Sequence, residues 1–425
     1  MGKYVISNFI YIFLCIILLF ALRKNNTDFK KSKVILFSVL AAAFAVRVML
    51  AFRNEAYWFD VGCFKDWADL TFEPGIKEMY HMDTFLDYPP GYIYILYLIK
   101  RIGMIFSIDK TSIAYTALIK MPAILADIFT AIFVYKITKN NIGEKWALFA
   151  SSAIALCPVL IFNSAVWGQI DSYYTLLLVI SMYMLLKNNV VAAAFFYALT
   201  LLTKPQALLF GPVFLFWVIE KKDWKIFFKA VSTGLITMVV LSLPFSKGLD
   251  ITWLPKLYMS TMNGYKYMTL NAFNFYGLLG FNHIPLENFG FGKYINFFVI
   301  PATFMLCAYG YFKQKSNEKL FYNAAVFITV FFTFCTMMHE RYIIPVLLLT
   351  MVCFSLTKRF YFLAMFLWAS TFSLLNVTAI FVGGYDAKGV LPWPAIVICI
   401  LCTLFAITFV TIFVLDTIKH NNKKL

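Results

Sequence analysis

Stretches of about 20 consecutive apolar residues recur along this chain from end to end, each long enough to cross a hydrocarbon core of roughly 30 Å. Inside lipid every backbone amide and carbonyl must be satisfied within the protein, which leaves helices or a closed barrel. Barrel strands alternate in polarity and these runs do not. The chain therefore reads as an all-α polytopic membrane helical bundle. Its composition agrees, with 62% hydrophobic and 14% charged residues among 425. A soluble domain carries about 45–50% and about 25%.

The net charge of +16 does not point to nucleic acid. The basic residues fall in short clusters between apolar runs: Arg23-Lys24, Lys30-Lys31-Ser32-Lys33, Lys221-Lys222, Lys313 to Lys319, Lys358-Arg359 and Lys419 to Lys424. That distribution is the mark of cytoplasmic loops, for which an anionic inner leaflet is a sufficient partner. Taking those clusters as cytoplasmic threads residues 1–425 as one membrane domain, with about 13 crossings and 14 as the alternative count. An extra amino-terminal helix covers 4–22, without the small-residue cleavage site of a signal peptide, and a second helix covers 34–52. A first outer loop (53–92) and a second outer segment (246–293) interrupt the later helices. Those helices lie near 112–136, 147–163, 172–187, 190–203, 207–220 and 225–245, then 294–312, 320–338, 343–357, 360–381 and 391–415. The apolar run 92–108 contains Lys100-Arg101, and charge parity makes it interfacial or re-entrant. Seven of the eight cysteines fall in apolar helices and Cys63 in a loop, which gives no disulfide framework. Cys399 and Cys402 read as packing in a helix, with no metal site.

On this threading the unusual polar residues gather at one face, opposite the lysines. Asp60, Asp66, Asp69 and Asp87 fall in the first loop, and Gln169 with Asp171 at the next outer turn. Lys204 and Gln206 occupy the following turn, and His339, Glu340 and Arg341 a later one. Trp167 and Pro205 keep these turns short and hydrophobic, and ionisable groups held at such depth are costly enough to suggest a site. Asp60 follows the aromatic trio Tyr57-Trp58-Phe59, and from Cys63 the loop is expected to form an interfacial amphipathic helix. Asp87-Tyr88 enters the rigid turn set by Pro89-Pro90.

Six segments in order then carry a likeness. They are the first-loop acid followed by Asp87-Tyr88-Pro89-Pro90, Lys120 to Asp127, Asn163 to Ser172, Leu202 to Ala207, Leu270 to Asn274, and Met338 to Tyr342. Together they resemble the C-type (GT-C) membrane glycosyltransferases, and most nearly bacterial relatives of the mannosyltransferase that adds the second mannose of GPI anchors. The resemblance covers roughly 34–360 and implies a polyprenyl-phosphate sugar donor; the residues show no metal or nucleotide motif, and no cofactor is expected. It also implies that the acceptor-activating base is Asp60.

The chemistry leads the same way. Direct transfer from a sugar phosphate needs one carboxylate to take the acceptor's proton. Its phosphate leaving group needs cations, not the second carboxylate of a glycoside hydrolase. Arg341 offers bidentate recognition of phosphate, Lys204 a point charge and His339 a further donor. Snorkelling to the interface is the plain alternative for Arg341 and Lys204. Tyr88, Asp87, Gln169, Asp171, Gln206, Asn271, Asn274 and Glu340 are the supporting or sugar-binding candidates. For Asp171 a helix-capping role stands beside that reading. The intramembrane Asp127 is read as a structural hydrogen-bonding group, and the aromatic outer segment (Tyr258, Tyr265, Tyr267, Phe273, Phe275, Tyr276) as a groove for the isoprenoid.

The expected function is thus an inverting hexosyltransferase, leaning to mannose, in a bacterial plasma membrane with its site facing outward. The acceptor is a glycan, lipid-linked or protein hydroxyl. A transporter or flippase for a lipid-linked saccharide is the competing class, and it would require a polar path reaching the lysine side.

Overall fold

The structure, a computed structural model, describes residues 2–24, 32–250, 252–383 and 388–422. The chain begins with two long helices, α1 (Gly2–Lys24) and α2 (Ser32–Arg53), and the first outer loop then forms α3 (Trp58–Leu70) and α4 (Pro90–Ile105). Next come α5 (Ile113–Ile142), α6 (Glu144–Ala155) and the single turn α7 (Pro158–Ile161). Four helices follow: α8 (Asp171–Leu186), α9 (Val190–Thr203), α10 (Gly211–Lys221) and α11 (Trp224–Ser242). The second outer segment contains α12 (Trp253–Gly264) and the short α13 (Phe275–Leu278). The bundle is completed by α14 (Gly292–Lys313), α15 (Lys319–Phe334), α16 (Pro345–Thr357), α17 (Phe360–Gly383) and α18 (Trp393–Asn422). No strand occurs among the described residues, only isolated bridges such as those joining Leu270 and Asn271 to His339. The all-α polytopic architecture is as the apolar runs require.

Local chemistry sets the boundaries. Ser112 accepts from the Tyr115 amide at 3.1 Å to start α5, and Asn189 accepts from Ala192 at 3.1 Å to start α9. Prolines open α4, α7 and α16, where the missing N–H would have had no helical partner. The first outer loop is more helical than its sequence suggested. α3 begins at Trp58, so Cys63 lies inside a helix and not in a loop.

Among the described residues seven helices are long and apolar enough to cross a membrane alone, and the bent pair Glu144–Ala155 with Pro158–Trp167 makes an eighth if it is one span. Length alone therefore supports fewer crossings than the about 13 inferred from charge parity. The remainder are short apolar helices, α8, α9, α15 and α16 among them. α15 and α16 are buried along nearly their whole length, so protein and not lipid satisfies their surroundings. By contrast α11 and α14 expose Leu235, Ile236, Phe297 and Met305, the surface of helices that face hydrocarbon.

The two ends of the bundle differ in chemistry. At one end Lys145 donates to the Leu22 carbonyl, Arg23 stacks on Phe360, Lys319 pairs with Glu220, and Arg359 pairs with Glu318 and Asp416. The basic residues 30–31 and 423–424 lie outside the described residues. α2 and α5 run antiparallel: Lys120 donates to the Asn54 carbonyl at 2.6 Å, and Arg47 pairs with Asp127 at 2.8 Å. That ion pair is fully buried and Ser164 also donates to Asp127, a structural role as expected for this acid. Lys110, just ahead of α5, bonds Asp66 and Asp69 of α3, and Lys100 of α4 bonds Asp69. α4 thus starts and finishes at the end opposite the lysine clusters, in agreement with the parity argument.

Candidate active site

The end of the bundle opposite the lysines is hollow. The first turn of α3, residues 85–88, the turn after Trp167, Lys204 to Leu209, Met262 to Asn271 and Thr336 to Tyr342 surround a cavity of about 590 Å³. Backbone geometry brings α3 to it. The Tyr57 amide donates to the Trp167 carbonyl at 3.0 Å, and the Tyr57 ring stacks on the indole at 4.4 Å between centroids. Gly168 has φ +93°, and a Cβ there would lie 2.7 Å from Val61 Cγ2 of α3. A side chain at 168 would meet both a strained backbone and the helix it must admit.

Asp60, in the first turn of α3, is the meeting point. Its Oδ2 accepts from Arg341 Nη1 at 2.7 Å and from the buried Trp167 Nε1 at 2.5 Å. The Trp167 ring also lies beneath the Arg341 guanidinium, 4.8 Å from centroid to Cζ. Arg341 further pairs with Glu340 at 2.9 Å, and its Nε stands 3.8 Å from Asp171 Oδ2. Lys204, 2% exposed, forms an ion pair with Asp171, 1% exposed. The rings of Tyr88, Tyr174 and Tyr342 surround the Lys204 ammonium at 5.5–6.0 Å. Both cations are thus buried and paired, which rules out snorkelling for either in this fold.

Electrostatics divides the remaining groups. Burial lifts the Asp87 carboxyl to about 6, against the hydrogen bond that Tyr265 donates to it at 3.2 Å. Burial, reinforced by Arg341, holds the His339 imidazole down to about 3, so it acts as a neutral donor or acceptor. Burial also pushes the Glu340 carboxyl up, with Arg341 opposing. For Arg341 burial works against the charge, but Asp60, Glu340 and Asp171 outweigh it and the guanidinium is held charged. Tyr88 donates to Gln169 Oε1 at 3.2 Å, which fixes that amide beside the ion cluster.

Ten of the residues singled out in the sequence line one cavity: Asp60, Asp87, Tyr88, Gln169, Lys204, Gln206, Asn271, His339, Glu340 and Arg341. Asp171 sits behind them as the buried counter-ion of Lys204. It is already inside α8, and no hydrogen bond from its side chain caps that helix. Asn274 is elsewhere. Its amide caps α13 at the Tyr276 and Gly277 amides and donates to the Phe332 carbonyl, so its polar atoms serve the fold. The aromatic groove also needs correction. Of its six rings only Tyr265 lines the cavity; Phe273 is core, and Tyr258 donates to the Leu201 carbonyl. The apolar limb is built instead from Leu208, Leu209, Met262, Ile300 and Phe331. Leu208, Ile300 and Met262 are 39–61% exposed, which opens that limb sideways on the helix surface. The roles of Trp167 and Tyr265 as hydrogen-bond donors to the two acids were not foreseen. A Trp beside a glycine turn and a Tyr in an aromatic-rich segment carry no signal of their partners.

A cavity with a charged head and an apolar side limb suits a substrate that is polar at one end and lipid at the other. No curated protein matches the chain. The model of glycosyltransferase family 87 matches residues 85–336, more than half of the sequence, and this stretch contains Asp87, Tyr88, Gln169, Asp171, Lys204, Gln206 and Asn271. The chain therefore belongs to glycosyltransferase family 87 and is a membrane glycosyltransferase.

Proposed function

We propose that the protein is an inverting transferase that moves a hexose from a polyprenyl-phosphate carrier to an acceptor hydroxyl at the extracytoplasmic face. Mannose is the first sugar to test. The observation that carries the reading is the shared Oδ2 of Asp60. One carboxylate in the lining of a cavity with an apolar limb is tied at once to Arg341 and to Trp167.

In the proposed reaction the donor's phosphate takes Arg341, with Lys204 behind it, and its isoprenoid follows the limb past Leu208 and Ile300. An anion on Arg341 competes with the Asp60 ion pair and so frees the carboxylate when the donor arrives. The acceptor oxygen then attacks the anomeric carbon from the face opposite the phosphate while Asp60 takes its proton. The bond from that carbon to the phosphate oxygen breaks, its electron pair stays on the phosphate, and configuration inverts. Charge developing on the leaving oxygens falls on fixed cations in a water-poor pocket. A transport role finds no support in the cavity, since none of the lining residues comes from the lysine-rich end.

Sugar transfer in isolated membranes tests the proposal, with radiolabelled polyprenyl-phosphate mannose and glucose as donors and endogenous acceptor. Asp60→Asn is expected to abolish transfer while donor binding and expression persist. Undiminished transfer by that variant would remove Asp60 from the chemistry.

A further inference from the structure

A second hollow opens on the same end of the bundle, separate from the first, with a volume of about 380 Å³. Its walls are residues 79–86 of the first outer loop, Asp250 and one face of α12. They present His81, Thr84, Asp250, Lys256 and Ser260 around Trp253. Asp250 and Lys256 offset one another, so nothing in the cleft selects for net charge. Mixed donors and acceptors beside aromatic rings are what a neutral polyhydroxyl ligand needs. His81 lines the cleft, and its Nε2 is buried without a hydrogen-bond partner, a cost that a turn of the ring towards a ligand hydroxyl would relieve. Beneath, Tyr80 stacks on Trp253 at 4.4 Å and makes a rigid floor.

The two hollows are back to back. Ser260 lines the cleft while its neighbours Thr261 and Met262 line the main cavity, and Leu86 lines the cleft while Phe85 and Asp87 line the cavity. Two bonds tie the partition to the catalytic side: Tyr80 donates to the Tyr88 carbonyl at 2.7 Å, and Thr261 to the Asp87 carbonyl at 3.2 Å. A chain of sugars whose terminal hydroxyl faces Asp60 would have to pass over one turn of α12 to reach the cleft.

We propose that this cleft is a saccharide subsite, holding the part of a glycan acceptor that lies remote from the reacting hydroxyl. The assignment deepens the glycosyltransferase reading and rests on it for the word acceptor; the binding itself does not. The main cavity alone would accept any small hydroxyl, whereas the cleft makes a polymeric or oligomeric glycan the preferred acceptor.

Saturation-transfer NMR on the full-length protein in detergent, without donor, tests it directly. The probes are neutral oligosaccharides of mannose, glucose, galactose and N-acetylglucosamine, each against its monosaccharide. The wild type is expected to bind at least one oligosaccharide about tenfold more tightly than its monosaccharide. His81→Ala with Lys256→Ala should weaken that binding by about tenfold, as expected for lost hydrogen bonds. Ser260→Trp, on an exposed face of α12, should fill the cleft and abolish binding while the protein still melts at the wild-type temperature. Oligosaccharides that bind no better than monosaccharides, or binding that survives Ser260→Trp, would overturn the assignment. If transfer fails in every assay but oligosaccharide binding is lost on filling the cleft, the subsite stands and the proposed reaction falls.

Discussion

Replacing Trp167 with Phe removes one N–H and leaves most of the aromatic surface, which makes it a sharp probe of how Asp60 is held. The indole Nε1 and Arg341 both donate to Oδ2 of Asp60, which in the proposed reaction leaves Oδ1 to receive the acceptor's proton. Without the indole donor the carboxylate has a single anchor and turns about the Arg341 contact. A hydrogen bond to a charged group contributes about 1.5–3 kcal/mol net. At about 1.4 kcal/mol per decade the turnover number should fall roughly 10- to 150-fold. The donor KM should change by less than about threefold, because Arg341 keeps its charge and most of the ring beneath it. The smaller ring also leaves a gap at a fully buried position, so Tm will drop, though by less than for truncation to Ala at roughly 3–5 kcal/mol. Initial rates at saturating donor and acceptor, with Tm measured on the same preparation, separate the two effects. Tyr57→Leu is the control, since it strips the ring stacked on Trp167 but spares Nε1. A Trp167→Phe enzyme with lowered Tm and wild-type turnover would refute the argument and leave the indole as packing alone.

Arg341→Lys keeps a charge but loses the planar guanidinium, whose Nη1 reaches Asp60 and Glu340 while its Nε faces Asp171; donor KM should rise and kcat fall, each at least about tenfold, in steady-state rates. Arg47→Ala leaves Asp127 buried without its partner and should cost about 3–5 kcal/mol in thermal or denaturant unfolding. Arg47→Met combined with Asp127→Leu should recover much of that loss while transfer persists, because neither residue lines the cavity. Asp87 predicts a pH effect on stability. Its folded-state value of about 6 exceeds the roughly 3.9 of an unfolded chain. The folded protein then binds the extra proton, so this group favours folding below about pH 4 and that contribution is lost as pH rises through 6. Asp87→Asn should therefore gain Tm relative to the wild type between pH 4.5 and 7.5; a difference that does not vary with pH would contradict the assignment.

Much of this arrangement was legible in the residues. Apolar runs dictate helices, and lysine clusters at alternate loops separate the ends, so Asp60, Lys204 and Arg341 had to fall together at the other end. What periodicity cannot convey is the direction of a side chain within an irregular segment. Asn271 and Asn274 sit three residues apart in the same turn-rich stretch, yet one lines the cavity and the other caps α13. The rings of the second outer segment were misplaced for the same reason. Phe273 and Tyr276 look inward to the bundle, and the apolar limb is made by ordinary helix residues such as Leu208 and Ile300. Trp167 was seen only as bulk, because a hydrogen bond across 107 residues of chain leaves no local trace.

The shortness of α16 bears on what can be glycosylated. Thirteen residues rise only about 20 Å, some 10 Å less than a hydrocarbon core, and the His339–Arg341 turn lies directly above that helix. With the far end of α16 level with the inner edge of the hydrocarbon core, the proposed chemistry would be sunk in a well below the outer edge. For the proposed transferase such a well would select acceptors by girth before any hydrogen bond is made: a slender glycan tip, a lipid headgroup or an extended peptide could descend to Asp60, and the flank of a folded domain could not.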